Sequence, residues 1–167
     1  MAVKATTKLG FARRRKKKTN YAKRLAMIKS GKPRLTVRKT NTSVNVQVIT
    51  YSKTGDTTVA SAVSKELAKY GWKNSQKNMP AAYLTGLICG LRATKKINEA
   101  IADIGLHSSI HGSRVFAAVK GAIDAGLKIK VDEIALPKED RLKGKHISEE
   151  TVKNFEETKE KILKKGE

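Results

Sequence analysis

The chain has one cysteine, three prolines, few aromatics and, over its first 55 residues, no acid at all. A single cysteine excludes an internal disulfide and any cysteine-rich zinc site. Cys89 lies between Ile88 and Gly90 in an apolar helical pattern, which reads as a small core residue in a reducing compartment, not a nucleophile. Few prolines and no low-complexity run argue against long disorder beyond the N-terminal region. The scattered aromatics lack the paired-ring signature of an RRM, and neither helix-turn-helix nor finger spacing is present. No run approaches 18 apolar residues, so no transmembrane helix is expected. The N-terminal cations precede no apolar stretch, as a secretory signal would require, and they continue too far into the fold for a transit peptide.

Catalytic patterns are missing as well. Gly86-Leu87-Ile88-Cys89-Gly90 lacks the Lys-Ser/Thr of a phosphate-binding loop, and no GxSxG or HExxH occurs. His107 and His111 are four apart, but Gly105, Ser108, Ser109 and Gly112 make their surroundings a loop rather than a metal-binding helix face. Asp103 and Asp124 are lone carboxylates in apolar segments, too sparse for acid–base chemistry. The expectation is a protein that is not an enzyme and takes no cofactor, metal or small-molecule substrate.

What the chain has in abundance is positive charge. Lys and Arg number 36 against 15 acids, giving a net charge of +21 and a pI near 10.2. Sixteen of those cations precede the first acid, Asp56. The densest run is Arg13, Arg14, Arg15, Lys16, Lys17 and Lys18. Such a density repels itself and calls for a polyanion, nucleic acid before an anionic membrane.

Residues 1–32 read as a basic arm whose pattern begins at Tyr21, Leu25 and Ile28, one face of a short helix capped by Asn20 and stopped by Gly31. That face is expected to pack onto the domain, leaving Lys23, Arg24 and Lys29 outward. Residues 33–130 read as the core. Leu35 and Val37 alternate with Arg34, Thr36 and Arg38, a half-buried strand with an open cationic face. Lys39-Thr40-Asn41-Thr42 forms a hairpin loop into a second strand, and a turn at Lys53–Asp56 leads to a third at Thr57–Ala62. A short helix from Ser64 stops at Gly71. Leu84, Leu87, Ile88 and Leu91 mark a longer helix with Pro80 in its first turn and two glycines, Gly86 and Gly90, that imply close packing on its backbone. Ile101–Gly105 is a candidate strand parallel to the first, reached by a right-handed crossover. A last core helix, capped by Ser113, runs to Ala125. Residues 131–167 read as a charged connector and a final helix with a thin stripe of Val152, Phe155 and Ile162, docking weakly or onto a partner. The fold class is α/β (α+β): a three-stranded antiparallel meander plus one parallel crossover strand, with helices mainly on one face.

Several stretches together resemble a known family. They are Arg13–Tyr21 with Lys23-Arg24-Leu25, Ser30–Leu35, Val37–Asn41, Lys69–Lys73, Pro80–Gly86, Asp103–His107, Gly112–Ala118, Lys120–Leu127 and Leu136-Pro137 with the segment to Ile147. In order and spacing these resemble the 5S-rRNA-binding large-subunit ribosomal protein eighteen family in its archaeal form, related to large-subunit protein five of eukaryotes. The likeness covers roughly residues 10–150. It implies a structural protein of the cytoplasmic ribosome's large subunit, in the central protuberance. There it would bind 5S rRNA and help anchor it to 23S rRNA beside a neighbouring 5S-binding protein. Carried over, the RNA contacts would be the cations of Arg13–Lys18, Asn20, Tyr21, Lys23, Arg24, Lys32, Arg34, Arg38, Lys39, Thr40 and Asn41. Arg114 and Lys120 would add to them, and His107, beside a cationic strand end, reads as an RNA contact or a loop hydrogen-bonder. The loop Ser108–His111 departs from the family pattern, and His111 is not carried over. The alternative reading of the charge is a basic architectural DNA-binding protein.

Overall fold

A computed structural model describes residues 10–166; Lys4 and Lys8, at the start of the expected arm, lie outside them. The arm holds one helical turn, α1 (Ala12–Arg15), and a helix α2 (Tyr21–Lys29). Then come β1 (Arg34–Lys39), β2 (Val44–Thr50) and β3 (Thr57–Val63), which pair as the antiparallel meander the alternation predicts. A 3-10 helix (Ser64–Tyr70) leads to α3 (Met79–Thr94), and β4 (Glu99–Asp103) returns parallel to β1. After α4 (Arg114–Asp124) a two-residue strand β5 (Lys128–Ile129) pairs parallel to β4. The sheet order is therefore β3-β2-β1-β4-β5, one strand more than the sequence indicates. The chain closes with α5 (Glu139–Lys143) and α6 (Glu149–Gly166).

One face of the sheet makes the core. Leu35, Val37, Val44, Val46 and Val48 point to it and are fully buried. They meet α3, which is apolar nearly all round and accordingly buried over almost its whole length. α3 and α4 form the most intimate pair in the molecule. A side chain at Gly86 would fall on the Ala118 carbonyl, and one at Gly121 on the Tyr83 carbonyl. Glycine on both helices thus lets the backbones touch, the close packing that Gly86 and Gly90 imply. Ser113 takes the capping position of α4, but its hydroxyl makes no capping hydrogen bond and has no partner.

The expectation for α6 needs correction. Its docked stripe is Thr151, Phe155, Thr158 and Ile162, all buried against α3 and the 3-10 helix, and α6 is a full part of the helical layer. Val152 is only half-buried, so the stripe sits one position round from the one that apolar residues alone suggest. Trp72 is also part of this core, its indole N–H donating to the Ser75 carbonyl at 3.2 Å.

Candidate nucleic-acid interface

The second face of the sheet carries the alternate residues of β1: Arg34, Thr36 and Arg38. Parallel pairing sets Thr36 opposite Asp103, which leaves Asp103 diagonal to both arginines and within reach of each. Arg34 Nη1 donates to Asp103 Oδ2 at 3.1 Å and Arg38 Nη2 to Asp103 Oδ1 at 3.0 Å. Arg38 Nη1 donates in addition to the main-chain oxygens of Asp103 and Val37. At the other end the β2–β3 turn delivers Asp56, whose Oδ2 accepts from Arg34 Nη2 at 2.8 Å and from Arg24 Nη2 at 2.7 Å. Five groups therefore alternate in sign across the face: Arg24, Asp56, Arg34, Asp103, Arg38. Partial burial works against the Asp56 charge, but the hydrogen bonds and positive charges of Arg24 and Arg34 outweigh it and hold the carboxyl below its usual range.

This network changes the reading of β1. Its second face is not open: Arg34 is 3% exposed, because α2 lies over it and two acids hold its guanidinium. A guanidinium is tolerated in such a place when its fork is met by carboxylates. Arg34 is thus a strut between sheet and arm, whereas Arg38 keeps 43% of its side chain exposed at the network's far end. Nor does the arm helix pack as expected. Leu25 is 54% exposed and no α2 residue is fully buried. The helix is turned so that Arg24 reaches Asp56, with Tyr21, Met27 and Ile28 half-buried beside it. Asn20 caps α2 by accepting the Lys23 amide at 3.1 Å. Phe11 folds back on Tyr21 with ring centroids 5.1 Å apart.

Between α2 and the sheet lies an open cleft of about 640 Å³. Arg13, Lys18, Asn20, Lys23 and Arg24 line it from the arm, Arg34, Thr36, Arg38 and Gln47 from the strands, and His107 from the loop after β4. The described acids on its walls are Asp56 and Asp103, both already held by arginine. Arg14, Lys17 and Tyr21 line a smaller groove alongside, against Leu106. Arg15 and Lys16 are exposed on the arm and line neither hollow. Lys17 sits in the left-handed region at φ 50°, which turns the cation run back toward α2.

The hairpin tip stands beside the cleft. The Lys39 amide donates to His107 Nε2 at 3.3 Å. Burial first, then the charges of Lys39 and Arg38, lower the His107 pKa, so the imidazole is a neutral acceptor here. The Thr40 hydroxyl is taken up within the loop, accepting from the Ser43 amide at 2.9 Å, while Asn41 is exposed. Lys32 pairs with Glu99 at 2.7 Å. Arg114 and Lys120 are not brought to this site. They lie on α4 in the opposite layer, where Arg114 donates to the Lys77 carbonyl and Lys120 pairs with Asp124.

The groups considered for chemistry have structural partners. Asp103 is enclosed by arginine. Asp124 accepts the Tyr83 hydroxyl at 2.8 Å, and the tyrosine's pKa is raised by burial and by that bond. Burial pushes the Cys89 thiol up to about 12, far from thiolate chemistry. Sequence reasoning missed Asp56 as the arm's anchor and Gln47 on the cleft floor. The alternation that assigns Arg34 to the second face assigns Gln47 there too, through the β1–β2 register.

Residues 6–101 and 94–132 match the family described as ribosomal large subunit proteins 60S L5 and 50S L18. The chain belongs to this family. Its curated relatives include large ribosomal subunit protein uL18 of Korarchaeum cryptofilum, 49% identical over 94% of this chain and 81% of the relative. The same protein of Thermofilum pendens is 51% identical over 89% and 76%, and that of Haloarcula marismortui 49% over 89% and 80%. All are archaeal, as the sequence resemblance implies. The family is one of structural proteins of the large ribosomal subunit, not enzymes. Among the described residues no helix is long and apolar enough to cross a membrane.

Proposed function

We propose that this family member grips 5S rRNA through the arm and the second face of the sheet, and anchors it to 23S rRNA in the central protuberance beside a neighbouring 5S-binding protein. The observation that carries the reading is the convergence of arm and strand cations on one cleft whose acids are already neutralised. The arm cations Arg13–Lys18, with Lys23, supply phosphate contacts. Arg38, held in place by Asp103, and the Lys39–Asn41 loop with His107 supply the register. Arg24 and Arg34 serve as struts, and Arg114 and Lys120 are too far round the molecule to join the same contact. If roughly 8 cations meet phosphate, affinity falls with a log–log salt slope of about −6 on single strands and about −7 on a duplex.

A salt-titrated binding assay against 5S rRNA, with duplex DNA of equal length as competitor, tests this. The expected result is a clear preference for the RNA. Equal affinity for both would instead favour an architectural DNA-binding role.

A further inference from the structure

The cleft is lined by six cations, Arg13, Lys18, Lys23, Arg24, Arg34 and Arg38, and by two acids, Asp56 and Asp103. The two acids are placed differently. Asp103 is buried at the end of β4 and serves Arg34 and Arg38 from within the fold. Asp56 stands in the cleft wall with its side chain 24% exposed. Its position is fixed by the sheet and not by the arm. Ser52 and Gly55 exchange main-chain hydrogen bonds across the β2–β3 turn, and Thr50 pairs with Thr57 directly after it. The bonds from Arg24 and Arg34 both fall on Asp56 Oδ2, and Oδ1 accepts none among the described residues.

A structural role accounts for part of this arrangement. Arg34 is buried and needs its charge met, and Asp103 and Asp56 together meet it. That role does not account for Arg24, whose side chain is itself partly exposed. An ion pair between such groups adds little stability. What the pair does change is the charge that the cleft presents. Arg24, Arg34 and Arg38 are each met by a carboxylate, whereas Arg13, Lys18 and Lys23 have no ion-pair partner among the described residues.

Generic polyanion binding strengthens with the number of cations that neutralise phosphate and release its counterions. An arginine already paired with a carboxylate drops out of that number, since a phosphate approaching it meets the carboxylate as well. Specificity is a difference between two affinities, and like charge set against the wrong partner widens it.

We infer that Asp56 is a specificity determinant of this cleft, a fixed carboxylate that withholds Arg24 from indiscriminate phosphate contact. In the matched complex Arg24 stays on Asp56 as a strut, and the free arm cations and the Lys39–Asn41 loop carry the binding. A phosphate chain without the matching shape finds fewer free cations to hold it. The inference rests on the RNA-binding reading of the cleft and adds to it the group that keeps other polyanions out.

The test titrates salt against 5S rRNA and against duplex DNA of equal length, using the full chain as wild type, Asp56→Asn, Arg24→Gln and Asp56→Glu. Asp56→Asn frees Arg24, so its affinity for the duplex is expected to rise about fivefold at about 0.15 M salt, with a slope steeper by about 0.9. Its affinity for 5S rRNA is expected to stay close to that of the wild type, so the preference for 5S rRNA narrows. Arg24→Gln breaks the same ion pair without freeing a cation and is expected to bind the duplex no more tightly. Asp56→Glu keeps the charge and is expected to keep the preference. An Asp56→Asn protein with the duplex affinity and slope of the wild type would overturn the inference. So would an equal gain of duplex affinity in Asp56→Asn and Arg24→Gln, which would trace the effect to a loosened α2 and not to charge. Equal affinity of the wild type for 5S rRNA and duplex DNA would count against the proposed function, while the duplex slopes of the two variants still decide the role of Asp56. Circular dichroism spectra that match the wild type show that the variants are folded.

Discussion

Asp103 accepts from Arg34 and Arg38 at once, and the Gly105 amide donates to the same Oδ1 at 2.9 Å. Its removal therefore strands a buried guanidinium. Asp103→Ala is expected to destabilise the fold by about 3–5 kcal/mol in urea denaturation. The Arg34→Met, Asp103→Ala pair should recover much of that loss, because the buried charge is gone. Asp56 is different, being partly exposed and holding Arg24, itself partly exposed. Asp56→Asn should cost only about 1 kcal/mol, yet raise amide exchange throughout α2, since Arg24 ties that helix to the β2–β3 turn.

His107 gives a second residue-level prediction. Its pKa in the fold is below the ordinary 6.5, so the unfolded chain takes up the proton more readily and stability rises with pH across that window. The contribution is complete above about pH 6.5 and is lost as pH falls through the lowered value. His107→Gln should flatten the fall in Tm between about pH 7 and pH 5. Bound RNA would oppose the effect, because phosphate near the imidazole favours its proton.

At the scale of elements, α3 and α4 tolerate no side chain at their crossing. Gly86→Ala must push the Ala118 carbonyl away and is expected to cost about 1–3 kcal/mol, measured as a lower urea midpoint with unchanged slope. The meander was readable because Val44, Val46 and Val48 alternate strictly, and the β4 crossover because Ile101–Asp103 follows a long helix. β5 was not readable, since two residues carry no period and only pairing with Glu99 and Ala100 makes them a strand. The α6 stripe was misjudged because Thr151 and Thr158 stand at core positions. Their hydroxyls bond locally, Thr158 to Asn154 and Thr151 to Ser148, so they can be buried although polar. The arm stripe was misjudged for the converse reason. Leu25 is apolar, but the pairing of Arg24 with Asp56 turns the helix so that Leu25 faces outward while Tyr21, Met27 and Ile28 are half-buried.

For the whole molecule, the asymmetry of charge was plain in the sequence, but its neutralisation was not. The carboxylates that organise the site, Asp56 and Asp103, are remote in the chain from Arg24, Arg34 and Arg38. Only the sheet topology brings them together. Replacing Arg13–Lys18 by glutamine should weaken RNA binding across sequences and shallow the salt slope. Arg38→Gln should reduce discrimination for 5S rRNA while leaving most of the slope.

The same network imposes an order on synthesis. The chain emerges from its N-terminus, at roughly 5–20 residues per second. All of Arg24, Arg34 and Arg38 are made before Asp56, and β1 waits a further 69 residues, from Arg34, for the partner it shares with Arg38. For that interval, on the order of several seconds, the nascent protein is an unbalanced polycation inside a cell full of RNA. The first acid, Asp56, follows all three arginines, and with Asp103 comes β4, the strand that pairs with β1. Seating β4 beside β1 and meeting Arg34 and Arg38 with a shared carboxylate are thus one event in time.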